Sequence, residues 1–199
     1  MTAMTPENVK DLLGDDLSLI YRCVKSAWTT YTSYPLSFRQ AHTARSRASL
    51  VHDHFVDFAR QTFEPRVGVH CHEINKLFII SFNSGVAVRF KKLDGCYRSS
   101  NIATQQSMDF LAQQNLPGVE AAVNLQAGYQ LNALETDLKG VYLTQPESNA
   151  NAWVIELSAA EHDTDTIHPI QKEAPAQKSN VVKFTKKRAD DDTNNAGKS

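Results

Sequence analysis

Apolar and polar residues alternate with two different periods along this chain, and the change falls near residue 65. Before it, apolar residues recur every three or four positions. Leu17, Ile20, Tyr21, Val24, Ala27, Trp28 and Tyr31 follow that spacing and define one face of a helix that Pro35 ends. A shorter helix, PENVKDLL at 6 to 13, precedes it, with Thr5 as N-cap and Pro6 at the first helical position. Asp15 or Asp16 is placed to cap the longer one. A third helix is predicted from about Ser37 to Phe63. It is polar at first (RQAHTARSR), then carries Leu50, Val51, Phe55, Phe58 and Ala59 on one stripe, and Pro65 stops it.

After Pro65 the period falls to two. RVGVHCHE, residues 66 to 73, reads as a strand with Val67 and Val69 on one side and His70 and His72 on the other. LFIISFN and VAVRFKKL form a hairpin around Asn83-Ser84-Gly85. In its second strand Val86, Val88 and Phe90 share the core face. Ala87, Arg89 and Lys91 take the other, which reads as a solvated sheet face. Lys92 sits near the strand end, where lysines discourage edge pairing. The loop DGCYRSSN leads to a helix over about 105 to 114 capped by Thr104 and stopped by LPG. Strands follow near AAVNLQAGYQLNAL and GVYLTQP, and then WVIEL, with Trp153, Ile155 and Leu157 inward. The order predicts an α+β fold: N-terminal helices packed on one face of a mostly antiparallel sheet.

Composition sets the domain boundary. Residues 1–158 carry the apolar pattern and read as a single domain. Residues 159–199 are rich in Asp, Lys, Asn, Thr, Pro and Ala and hold too little apolar surface to offset chain entropy, so a disordered tail is expected. One island interrupts the tail: NVVKFTKKR at 180–188, where Val182 and Phe184 precede Lys186, Lys187 and Arg188. Such a peptide can add a strand to a partner's sheet or wrap a charged surface; otherwise the tail serves only to solubilise.

The formal charge of −1 excludes a globally basic nucleic-acid binder but not a local patch. Residues 36 to 101 hold ten Lys or Arg against five Asp or Glu, while 102 to 158 hold one against six. The two parts either neutralise each other or form a dipolar surface that steers a partner. Cys23, Cys71 and Cys96 make no CxxC pair, which argues against a disulfide framework. The N-terminus has no apolar run of signal-peptide length, and no run approaches the roughly 20 apolar residues of a membrane span. A cytoplasmic protein is expected.

The candidate chemistry is sparse. His70 and His72, at i and i+2 on a strand with Glu73 beside them, are weak metal candidates, since imidazoles at that spacing share a face. His52 and His54 flank Asp53 on a helix, where residues two apart do not face one another. Cys71 alternates away from the histidines, which weakens a Cys–His nucleophile. No GxSxG, GxxxxGK[ST] or GxGxxG occurs. A nuclease reading would use Glu73, Lys76, Arg89 and Lys91 with Asp53 or Asp57, but the lysine of a Glu-x-Lys element is missing after Glu73. A nucleic-acid surface would use Arg39, Arg45, Arg47, Arg89, Lys91, Lys92 and Arg98, with Tyr97 to stack on a base.

RASLVHDHFVDFARQTF, LFIISFNSGVAVRFKKLDG, the polar helix ending in LPG, LQAGYQLN and VYLTQP together resemble a group of poorly characterised bacterial and prophage-borne proteins, over roughly residues 45 to 157. Members of that group are encoded beside IrrE-type proteins, in which a helix-turn-helix segment joins a zincin-like metallopeptidase domain. The resemblance implies a toxin–antitoxin or phage-defence pair and a protein partner encoded nearby; it carries no catalytic position. The expectation is therefore a non-enzymatic, antitoxin-like neutralising protein that needs no cofactor. It would act by protein–protein binding through Arg89, Lys91, Lys92 and the tail residues Val182, Phe184, Lys186, Lys187 and Arg188. The alternative is a nucleic-acid-binding or nuclease-like effector using the basic face. A third reading is a stand-alone enzyme built on His70, His72 and Glu73.

Overall fold

The computed structural model describes residues 4–99, 104–119, 121–148 and 150–159. The expected disorder of the tail and its island at 180–188 lie outside these residues. Four helices come first: α1 (Pro6–Leu13), α2 (Asp16–Thr32), α3 (Leu36–Ala41) and α4 (Ala44–Phe63). Strands β1 (Val69–Ile74), β2 (Leu77–Phe82) and β3 (Val86–Lys92) follow, then α5 (Gln105–Leu111), β4 (Val123–Leu131), β5 (Leu138–Glu147) and β6 (Ala150–Leu157). The six strands form one sheet in chain order. Every neighbouring pair is antiparallel except β3–β4, so the α+β architecture with a mostly antiparallel sheet is what the chain adopts. Among the described residues no helix is long and apolar enough to cross a membrane.

Local chemistry explains the helix ends. The Thr5 hydroxyl accepts from the Asn8 amide, and Pro6 occupies the first turn, where its missing N–H costs nothing. Asp15 stands at the N-cap of α2 without a side-chain cap bond. The helix predicted from 37 to 63 is two helices: the Thr43 hydroxyl accepts from the Ser46 amide at 3.1 Å and starts α4 afresh after His42. Val51, Phe55, Ala59 and Phe63 of α4 and Ile20, Val24, Ala27, Trp28 and Tyr31 of α2 are buried in one core. On the sheet side this core takes Phe78, Ile80 and Phe82 of β2, Val86, Val88 and Phe90 of β3, Leu125 and Tyr129 of β4, and Trp153, Ile155 and Leu157 of β6.

Strand β1 begins at Val69, and Val67, expected to share a strand face with Val69, is fully exposed in the turn before it. Helices cover both faces. A parallel β3–β4 pair needs a crossover, and the crossover carries α5 across the outer face, where Phe110 packs with Leu77, Ile79 and Ala87. The outer face at Arg89 is therefore not solvated, and the side chain is 6% exposed.

Asn124 and Gln113 fix the end of α5. The Gln113 side chain donates to the Asn124 and Pro146 carbonyls and accepts from the Asn124 amide, while Asn124 Nδ2 donates to the Phe110 and Gln114 carbonyls. Two turns organise the first hairpins. Asn75-Lys76 joins β1 to β2 with both residues at positive φ, and Asn83-Ser84-Gly85 joins β2 to β3 with Gly85 at φ 84°. Only the second carries glycine where that backbone wants it.

Candidate functional site

Strand β2 pairs with β3 only from Ile80 to Phe82, opposite Val88 to Val86. Beyond Val88, residues 89 to 92 have β4 as their strand neighbour, and β2 has parted from them. Phe55 of α4 fills the parting from below: its ring stacks on Phe90 at 4.0 Å and meets Phe78 edge-on at 6.4 Å. The divergence opens a groove of about 1020 Å³ between α4, the β1–β2 turn and the ends of β3 and β4. Phe90, Leu93 and Leu131 supply its apolar lining. Arg45, Lys76, Lys91, Lys92 and Lys139 line it with Asp53, Asp94 and Glu135, an excess of two cations.

These charges divide into used and free. Glu135, on the β4–β5 loop, takes hydrogen-bonded ion pairs from Lys92 at 2.5 Å and from Arg47 of α4. Lys92 therefore serves first as a structural tie. Among the described residues Arg45, Lys76, Lys91 and Lys139 form no ion pair. Lys91 is half-buried; burial, aided by the charge of Arg89, pulls its ammonium down to about 8. His52 leans on Phe90 at 6.0 Å, and burial, with help from Lys91 and Arg89 and against Asp53, holds it below the usual imidazole range.

The other expected site residues do not converge. His70 and His72 share the outer face, with ring centroids 6.3 Å apart, and His72 Nε2 hydrogen-bonds the Ser81 hydroxyl at 2.8 Å. Glu73 points to the opposite face and binds Arg60 at 2.8 Å, so it cannot complete their site. Among the described residues no three His, Cys, Asp or Glu side chains stand where they could hold a metal ion. Cys71 packs toward the core, and burial, with Glu64 against Arg60, pushes its thiol up to about 11, leaving it protonated at neutral pH. On α4, His54 bonds the Tyr34 hydroxyl at 2.7 Å while His52 turns to Phe90.

The basic residues do not form one surface. Arg39 donates to the Tyr34 carbonyl, Arg47 is tied to Glu135, Arg98 sits 3.7 Å from Asp94, and Arg89 is buried on the outer face. Tyr97 packs edge-on against Tyr142. Of the residues expected to meet a partner, the structure brings Lys91 and Lys92 into one groove; it adds Arg45 from the expected nucleic-acid surface, Lys76 from the nuclease reading, and Lys139, which belonged to no expected site. The signal that could have placed Lys76 was the hairpin register, which sets the β1–β2 turn beside the far end of β3.

Comparison with protein-family models, with curated proteins and with solved structures gives no match to this chain.

Proposed function

We propose that this chain is a binding protein acting on a protein partner, the neutralising, antitoxin-like half of a toxin–antitoxin or phage-defence pair, and that the groove beyond the β2–β3 parting receives an acidic segment of that partner. The observation that carries the binding mode is the set of unpaired cations, Arg45, Lys76, Lys91 and Lys139, around the apolar positions Phe90, Leu93 and Leu131. An acidic peptide matches that arrangement. Each carboxylate gains a charge-assisted hydrogen bond, and the half-buried Lys91 regains the full charge that burial disfavours. The neutralising role rests on the resemblance of residues 45 to 157.

A nucleic acid fits less well. A duplex presents a negative charge about every 1.7 Å along its axis and rewards an unbroken run of free cations. Here Asp53, Asp94 and Glu135 interrupt the run, and Arg47 and Lys92 are occupied. The test is co-expression with the product of the adjacent gene, followed by affinity purification of this chain. Retention of that product by wild type and its loss in Lys76→Glu/Lys91→Glu supports the proposal. Equal retention by the double variant, or release of DNA or RNA instead of protein at rising salt, overturns it.

A further inference from the structure

The outer face of β3 and β4 carries a pair of buried polar side chains outside the groove lining. Arg89 is 6% exposed, and its guanidinium carbon stands 5.7 Å from the centre of the Phe110 ring. Its Nε and Nη1 are sealed from solvent and have no acceptor. Its register partner across the parallel β3–β4 pair is Gln126, which is 1% exposed. Gln126 Oε1 accepts from the Ser99 hydroxyl at 3.2 Å, but Nε2 is also sealed and without an acceptor. Register partners project to the same face, so these orphan donors lie side by side. Two residues back on β4, Asn124 has both its amide and its side chain bonded. Unmet donors are thus not general on this face; they gather at Arg89 and Gln126.

A guanidinium with two sealed donors and no counter-charge is an expensive thing for a fold to keep, because nothing replaces the hydration those two donors lose. We propose that Arg89 and Gln126 form a binding site for a small oxyanion, a phosphate- or carboxylate-bearing ligand, beneath α5. The guanidinium supplies the charge and Gln126 Nε2 a neutral donor beside it, with Phe110 as an apolar wall. Gln126 also lines a cleft of about 420 Å³ with Asp94, Arg98, Ser99 and Ser107, so this cleft reaches the Gln126 end of the pair.

The probes are inorganic phosphate and malonate, titrated into the full-length protein at constant ionic strength. The expected result is a saturable rise in melting temperature with one of them, roughly 5–11 °C at about a hundredfold excess over Kd; which probe acts identifies the source chemistry. Arg89→Met removes the response while melting no lower than wild type without ligand, since it replaces an unmatched charge by an apolar chain of similar length. Gln126→Met weakens the response severalfold. Should Arg89→Met not fold, the Arg89 Nε–H resonance of wild type reports instead, and it moves with the effective probe along the same saturation curve. The site is overturned by wild type answering to neither anion, by an equal answer from a folded Arg89→Met, by a ligand-free Arg89→Met that melts well below wild type, or by an Nε–H signal that stays still.

Discussion

On its helix face β3 presents Val86, Val88 and Phe90; on its outer face the same strand presents Ala87, Arg89 and Lys91. Phe90 lies between Phe55 at 4.0 Å and Tyr129 at 5.6 Å, with His52 at 6.0 Å. Arg89, one residue away, is nearly as deeply buried but under a seven-residue helix, with two nitrogens unsatisfied. The helix face has what a stable core needs, area and stacked rings, with a single sealed hydroxyl, that of Tyr129, beside Phe90. The outer face keeps polar groups that packing does not require. Stability is concentrated on one side of this sheet, and recognition has room on the other side and at its open end.

The largest effect should come from emptying the helix face. Phe55 is 1% exposed and joins α4 to both β2 and β3 where they part. Phe55→Ala should cost about 3–5 kcal/mol, read as a loss of midpoint in urea unfolding with little change in slope. A cost under about 1 kcal/mol would show that the parted strands do not depend on the wedge. The contrast with the outer face would then fail.

The outer face should tolerate less added volume than its sparse cover implies, and one glycine marks why. A Cβ at Gly128 would stand 2.5 Å from the Lys91 carbonyl oxygen and 2.5 Å from Leu93 Cγ. The chain leaves β3 by folding across β4 here, with the Leu93 amide donating to the Tyr129 carbonyl at 2.9 Å. The clash is with backbone, so a side-chain rotation cannot relieve it. Gly128→Ala should destabilise by about 1–3 kcal/mol, measured by thermal unfolding. It should also loosen Lys91 and thereby weaken partner retention; unchanged stability and retention would show that the crossing is adaptable.

How much of this could be read beforehand differs between local and distant causes. The Asn83-Ser84-Gly85 hairpin, the inward set Trp153, Ile155 and Leu157, and the caps at Thr5 and Thr104 are decided by residues within a few positions, and all were legible. The break before α4 was written in Thr43 and Ser46 but masked by a continuous polar stretch. Val67 fitted the alternation, yet Gly68 at φ 81° turns the chain before β1 starts. The burial of Arg89 was not legible. Period two assigns a face but does not tell what covers it, and α5 comes from the crossover between β3 and β4. The groove was half legible: Lys91 and Lys92 were singled out, but Lys92 finds its acid 43 residues on, at Glu135.

That distant acid gives the smallest effect and the one with a pH signature. The Lys92 hydrogen bond, opposed by desolvation and aided by the charges of Lys92 and Arg47, holds the Glu135 carboxyl below the usual carboxylate range. A carboxyl lowered on folding adds stability that is fully present above its unfolded value, about 4.3, and that disappears as pH falls through the lower folded value. Glu135 is 37% exposed, so solvent screens the pairs, and Glu135→Gln should cost only about 0.5–1 kcal/mol at neutral pH. Wild type and Glu135→Gln should then converge in melting temperature as pH is taken from 7 down below the folded value. The same substitution releases Arg47 and Lys92 into or beside the groove, so retention of an acidic partner should stay the same or rise. If the two proteins instead keep a constant gap in acid, Glu135 acts by shape in the loop and not by charge. If retention falls, Glu135 belongs to the recognition surface, and the division drawn here between the structural tie at Lys92 and the free cations at Lys76 and Lys91 is wrong.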